Sequence, residues 1–209
     1  MLVAQFSDGS VITGETAICE ARKPISRIDL VPSSPRANQE ALSAIDDANM
    51  VVMGPGSLFT SIIPNLLVPG VAEHINKSDA KVVYICNVMT QPGETDGFSA
   101  ADHVNAILEK TPLHRIDIVV VNSRRAARSL MERYEAKGQY WVAPTVKKIE
   151  DLGIRVVAAD MLLQADLLRH NPALLAAILI GLINENRIEE TGPLEEEEEE
   201  EVEESFFDD

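Results

Sequence analysis

Apolar positions in this chain gather into short unbroken runs, and each run ends in a cluster of glycine and polar residues. Met50 to Met53 leads into Gly54-Pro55-Gly56-Ser57, Val82 to Cys86 leads into Asn87 to Gly97, and Ile116 to Val121 leads into Asn122-Ser123. A short apolar run bounded by turn residues is the pattern of a parallel strand covered on both faces. Between these runs the apolar period switches to that of a helix. Ala41, Leu42, Ile45 and Ala48 share one helical face, as do Ala101, Val104, Ile107 and Leu108 after the cap Ser99, and Ala127, Leu130, Met131 and Tyr134 in a helix drawn from 122 to 137. Strands alternating with helices predict an α/β fold with a Rossmann-like, doubly wound and mostly parallel sheet.

The flanks read differently. Leu2 to Phe6 and Val11 to Thr13, joined through Asp8-Gly9, predict a hairpin, and Ile25 to Val31 a further strand, so the first 31 residues read as short strands. Thr60 to Leu67 and Val71 to Lys77 are drawn as short helices, and Tyr140 to Thr145 and Ile154 to Ala158 as short strands. Asn171 as cap with Pro172 in the first turn opens a last helix to about Glu185.

Charge changes the picture at one end only. The net charge is −16, but 13 of the 34 acidic residues lie in 189–209 with no basic residue among them, leaving 21 acidic against 18 basic elsewhere. The seven consecutive glutamates Glu195 to Glu201 repel one another and bury nothing, which predicts a disordered acidic tail over 189–209 behind one α/β domain over 1–188. No basic stripe or RNA-binding signature marks a nucleic-acid partner. The longest apolar stretch, Ala173 to Ile183, is too short to cross a membrane, and no signal peptide is evident, so a cytoplasmic protein is expected. Cys19 and Cys86 have no metal-type spacing, and a homodimer is compatible with the pattern.

Candidate chemistry sits where the apolar runs end, because ligands of open α/β sheets bind beyond the carboxyl ends of the strands. Gly54, Gly56 and Ser57 would let a phosphate approach the backbone, with helix N-terminal amides and the Ser57 or Thr60 hydroxyl donating. A plain strand-to-helix turn needing small residues is the competing reading. Asn87, Thr90, Gln91, Glu94, Thr95 and Asp96 crowd hydrogen-bonding groups around Pro92-Gly93, suited to a nucleobase or sugar, with Glu94 and Asp96 also suited to a hydrated Mg²⁺. Asn122 either orients a ligand or caps the next helix. His103 beside Asp102 does not read as a dyad, since adjacent helical positions face apart. His170 beside Arg169 reads as packing or surface before phosphate contact, and Arg124, Arg125 and Arg128 as solvated surface. No nucleophile elbow or metalloprotease motif is present, so no residue is assigned a catalytic or metal-ligating role.

The runs GPGSLFTSIIPNLLV (Gly54 to Val68) and CNVMTQPGETDGFSAADHV (Cys86 to Val104) resemble the gluconeogenesis factor family, of YvcK type, within the CofD-like (2-phospho-L-lactate transferase-like) superfamily. IDIVVVN (Ile116 to Asn122) and LLRHNPALLAAIL (Leu167 to Leu179) extend the likeness, with Asn171 where the family carries aspartate. The family's opening Gly-Gly-Gly-Thr-Gly loop and its Asp-Asp-Gly-Gly-Ser-Ser-Gly element are absent. The resemblance therefore implies a partial CofD-like domain: a fragment, a chain whose other half lies on a separate polypeptide, or one with a misassigned start. For function it implies a UDP-sugar-binding regulator of carbon metabolism and of cell envelope and shape. The alternatives are a phospholactyl-type transferase using Mg²⁺ and a truncated, non-binding interaction protein. The wording TQPGETDG (Thr90 to Gly97) sits closer to the binding branch, so no certain cofactor is expected and a regulator is favoured over an enzyme.

Overall fold

The computed structural model describes residues 1–163 and 167–191, with side chains through residue 185, so the acidic stretch from 192 onward lies outside the described residues. Two sheets form the framework. The smaller is antiparallel in the order β2-β1-β3, from β1 (Leu2–Phe6), β2 (Val11–Thr13) and β3 (Ile25–Leu30). The hairpin is as the Asp8-Gly9 turn requires, with Gly9 at φ 83 and Asp8 Oδ1 accepting the Ser10 amide at 2.9 Å. Between β2 and β3 the chain forms a helix, α1 (Glu15–Ala21), where the sequence reading drew only strands. It buries a single residue, Ile18, so seven residues offered no visible period.

The larger sheet is parallel throughout, in the order β4-β5-β6-β7, with β4 (Met50–Met53), β5 (Lys81–Ile85), β6 (Ile118–Asn122) and β7 (Arg155–Ala159). The three apolar runs are neighbours in register: Val52 pairs with Val83, and Val83 with Ile118. Val82, Val83, Tyr84, Ile85, Val119 and Val120 are almost wholly inaccessible, as parallel strands sandwiched between layers must be.

One face of this sheet, through Val82, Tyr84, Val119 and Val121, packs on α4 (Val71–Lys77), itself in contact with α2 (Gln39–Asp46), on α5 (Ala100–Lys110), α7 (Val146–Glu150) and the small sheet. The other, through Val83, Ile85, Ile118 and Val120, packs on α8 (Pro172–Thr191) by Leu182, Leu175, Ile178 and Leu179. Asn171 Oδ1 accepts the amides of Ala173 and Leu174, confirming it as the cap of α8. That helix runs past Glu185 to Thr191 because no breaker intervenes before Gly192-Pro193. α5 opens with the reciprocal pair Ser99 and Asp102, the Asp102 carboxylate accepting the Ser99 amide at 2.7 Å. Strand order advances in one direction only, so no reversal point exists among the described strands.

Three further expectations are corrected. The helix drawn from 122 to 137 is confined to α6 (Arg128–Glu135), because 123–127 runs irregularly, with Asn122 Nδ2 donating to the Arg124 carbonyl and Arg125 stacked on Trp141. Tyr140 to Thr145 is not a strand. It makes a bridge from Trp141 to Met89 and turns away at Pro144 and Thr145, the latter at φ 37. The helix drawn from Thr60 starts earlier, as a π-helical turn at Leu58–Ile62 passing into α3 (Ile63–Leu66). Pro64 sits in the first turn of α3, at the junction where the π-helical turn gives way.

Candidate functional site

Beyond the carboxyl ends of β4 and β5 lies a cleft of about 560 Å³. Its floor is Pro55, Gly56 and Ser57 from the β4 loop and Asn87, Val88, Met89 and Gln91 from the β5 loop. Its far wall is Tyr134 of α6, Gln139, and Leu168, Arg169 and His170 before α8. Ligands of open α/β sheets bind on this side, beyond the carboxyl ends of the strands.

The two loops are locked together by one carboxylate. Glu94 is only 7% exposed and reaches from the second loop back to the first. Its Oε2 accepts from the Ser57 hydroxyl and from the Phe59 amide at 3.3 Å, while the Cys19 thiol stands 3.6 Å from Oε1. Thr60 completes the cluster, its hydroxyl donating to Ser57 Oγ at 2.6 Å and its amide to the same oxygen at 3.1 Å. The Ser57 hydroxyl thus donates to Glu94, and Thr60 points away from the cleft. A π-helical turn follows, with the Ile62 amide bonded to the Ser57 carbonyl at 3.0 Å. Such turns recur beside functional sites.

Much of the second loop's polar inventory serves the loop itself. Thr95 Oγ1 accepts the Gln91 amide, Asp96 Oδ2 accepts the Gly93 amide, and Thr90 Oγ1 accepts the Tyr140 amide. Gly93 sits at φ 84 against the end of α1, where an added Cβ would fall 2.5 Å from the Arg22 backbone. Asn122 is committed too, its Oδ1 accepting the Met161 amide at 3.0 Å and its Nδ2 bonded to Arg124. The structure therefore brings Gly56, Ser57, Asn87 and Gln91 to the cleft. It gives Thr60, Thr90, Thr95, Asp96 and Asn122 internal partners instead, and Glu94 holds the two loops while lining a second cavity of about 440 Å³ with Cys19, Arg22, Gln91 and Lys137.

The two glycines of the first loop differ. Gly54 has φ 83, and a Cβ there would meet the Ile85 carbonyl at 3.0 Å, so its glycine is demanded by the turn. A Cβ on Gly56 would find only ordinary contacts, with Ser61 Cβ at 3.7 Å. Its carbonyl accepts from Asn87 Nδ2 at 2.8 Å, leaving the fold no need for glycine at this position.

Groups without internal partners mark what the cleft can bind. Gln91 Oε1 and His170 Nε2 are shielded from solvent and have none, while Arg169 is exposed at the rim. Burial holds the His170 imidazole below its ordinary pKa, only partly opposed by a hydrogen bond with the Cys86 backbone, so the ring is neutral at neutral pH. The reading of His170 and Arg169 as packing or surface passes over this placement, which a bridge from His170 to Leu162 fixes. Tyr134 reads in sequence only as part of a helical face and Gln139 carries no signal, so neither is foreseen as lining the cleft. Only the approach of α6 and the α8 entry to the β5 loop identifies them.

Elsewhere the titratable groups are structural. His103 is fully buried in α5, its Nδ1 at 2.8 Å from the Ser99 carbonyl and therefore protonated, and desolvation lowers its pKa. Cys86 is pushed up to about 12 by burial. Arg124 pairs with Asp160 at 2.8 Å, Arg125 lies 4.5 Å from the Trp141 ring centroid, and Arg128 pairs with Glu132. Among the described residues no group of three His, Cys, Asp or Glu is arranged to hold a metal ion, and no single helix is long and apolar enough to cross a membrane.

Residues 1–162 match the family described as 2-phospho-L-lactate transferase CofD, and the chain belongs to that family. Within it the chain is similar to gluconeogenesis factors: it is 40% identical over 186 residues to the putative gluconeogenesis factor of Aquifex aeolicus and 38% identical over 186 residues to the gluconeogenesis factor of Bacillus subtilis. Those matches take in 87% and 88% of this chain but 57% and 59% of the relatives. The crystal structure of a UPF0052 family member from Bacillus halodurans superposes with a TM-score of 0.81 at 38% identity, over 86% of this chain and 57% of that one. The chain thus spans somewhat over half the length of these relatives.

Proposed function

We propose that the cleft binds a UDP-sugar or related nucleotide, with the diphosphate along Gly56-Ser57 and Arg169 and the base or sugar against Asn87 and Gln91. In this reading the protein is a cytoplasmic regulator that couples such binding to carbon metabolism and to control of the cell envelope and cell shape. The observation that carries it is the convergence of an apolar wall (Val88, Met89, Leu168, Leu175) with amide side chains, a rim cation and an unneeded glycine at the carboxyl ends of two adjacent parallel strands. The similar gluconeogenesis factors, by name, support the link to carbon metabolism.

Titration of the full chain with UDP-N-acetylglucosamine by calorimetry tests it. Arg169→Ala removes a charged donor to the diphosphate and is expected to weaken binding by about 1.5–3 kcal/mol, roughly ten- to over a hundredfold, with the melting temperature unchanged. Equal affinity in wild type and variant would displace the ligand from this cleft. A wild type that binds no UDP-sugar would remove the ligand class.

A further inference from the structure

The cleft has a neighbour across two glutamines. Gln91 and Gln139 line both the cleft and the second cavity of about 440 Å³, so the two cavities meet at this pair. Beyond it the charge changes. Arg22 and Lys137 line the second cavity, and neither side chain takes an ion pair among the described residues, whereas the adjacent Lys23 is held by Asp8 at 2.7 Å. The only carboxylate lining that cavity, Glu94, is already engaged, with Oε2 accepting from Ser57 and the Phe59 amide and the Cys19 thiol 3.6 Å from Oε1. Arg22 is also fixed in place. It caps α1 in the left-handed region, at φ 47 and ψ 39, where glycine or asparagine is the usual occupant. Its main chain lies so close to Gly93 that no Cβ fits between them, which ties it to the loop that floors the cleft. A bulky residue is strained in that conformation, and such strain gathers at ligand clamps. At the divide itself, Gln91 Oε1 is shielded and has no partner, an acceptor that a ligand hydroxyl can satisfy.

Given the reading of the cleft as a nucleotide-sugar site, on which this rests, we infer that the second cavity is a subsite for an acid group carried on the sugar. The preferred ligand is then a nucleotide sugar with its own carboxylate. Two cations without counter-ions, beside a carboxylate that is engaged, leave the cavity net positive, so an anion is what it complements. An anion arriving alone would gain only exposed ion pairs, each of small effect. Tethered to a ligand already in the cleft, the same acid group meets the cations at high effective concentration. The sugar then lies across the divide of Gln91 and Gln139, with a hydroxyl donating to Gln91 Oε1. The diphosphate lies on one side, at Gly56-Ser57 and Arg169, and the carboxylate on the other, at Arg22 and Lys137. A neutral sugar fills the divide and stops there.

The full chain is titrated by calorimetry with UDP-glucose and with UDP-glucuronic acid, which differ only in a hydroxymethyl against a carboxylate. UDP-glucuronic acid is expected to bind roughly five- to tenfold tighter at low salt, the effect of two exposed ion pairs, and the preference to shrink at high salt. A double variant, Arg22→Gln with Lys137→Gln, is expected to lose the preference, its UDP-glucuronic acid affinity falling to that for UDP-glucose. Position is read separately through Cys19, which lines the second cavity and is exposed, while the other cysteine, Cys86, is buried. Saturating UDP-glucuronic acid is expected to slow alkylation of Cys19 by iodoacetamide, and saturating UDP-glucose to leave it unchanged. Equal affinity for the two ligands overturns the subsite and leaves the reading of the cleft standing. A preference that survives in the double variant also overturns it, because the carboxylate is then bound elsewhere. So does alkylation of Cys19 that responds alike to both ligands. Binding of neither removes the reading of the cleft, and the subsite with it.

Discussion

The loop after β4 and the loop after β5 meet across the same cleft but are built on opposite principles. The first is spare: a glycine whose geometry the turn demands, a glycine it does not, and one serine turned to a neighbour's carboxylate. The second is dense in polar side chains, and most of that density is spent on itself, through Thr90, Thr95 and Asp96 bonding to nearby amides. Buried polar groups must be bonded, so a loop entering the interior carries its own partners. Polar residues in such a loop thus measure how deeply it is buried. Capacity for a ligand is measured by the groups left over.

The sharpest way to break this contrast is at its glycines. Gly93→Ala forces a left-handed backbone on alanine and drives Cβ into the Arg22 main chain, so it is expected to cost at least about 3 kcal/mol, a fall in melting temperature of roughly 6–12 °C. Gly56→Ala, with only ordinary contacts to meet, is expected to stay within about 0.5 kcal/mol of wild type. Thermal melts of the pair decide it. Equal losses would make the first loop as self-constrained as the second.

A smaller effect is expected from Glu94→Gln. It keeps the shape but removes the charge that accepts from Ser57 and Phe59, costing about 1.5–3 kcal/mol. If the melting temperature is unmoved, the carboxylate does not join the loops.

The smallest concerns pH. His103 and His170 are both held below the ordinary value of 6.5, with burial the largest cause. Below pH 6.5 the unfolded chain binds more protons than the folded one, so their stability is complete above that pH and declines as pH falls through it. Melting temperature should therefore drop between pH 7.5 and 5.5, and drop less in His103→Gln. A flat profile would show that both rings charge freely in the folded state.

The core of the fold was legible because it is repetitive. β4 was bounded at Met50 and Met53 by the apolar run itself, and α5 by Ser99 and Lys110. The parallel pairing of the three apolar runs followed from their lack of alternation. What escaped was short or held by distant partners. α1 and α7 bury one residue each, and the start of α6 is set by a stacked Arg125 and a bonded Asn122, neither of which leaves a period in the sequence. The site was half legible for the same reason. Strand ends located Gly56, Ser57, Asn87 and Gln91, but sequence does not record which hydroxyls turn inward, nor that Tyr134, Gln139 and Arg169 arrive from elements far along the chain.

Trp141 is the chain's one tryptophan, packed beneath the Arg125 guanidinium and bridged to Met89, whose side chain borders the cleft. Its indole N–H is shielded and has no hydrogen-bond partner. The protein consequently carries its own optical probe: tryptophan emission arises from a single known place, quenched or shifted by whatever moves the cation or the Met89 segment beside it. Binding at the cleft as proposed is expected to register in the light of the unlabelled chain, with no second tryptophan to blur the signal.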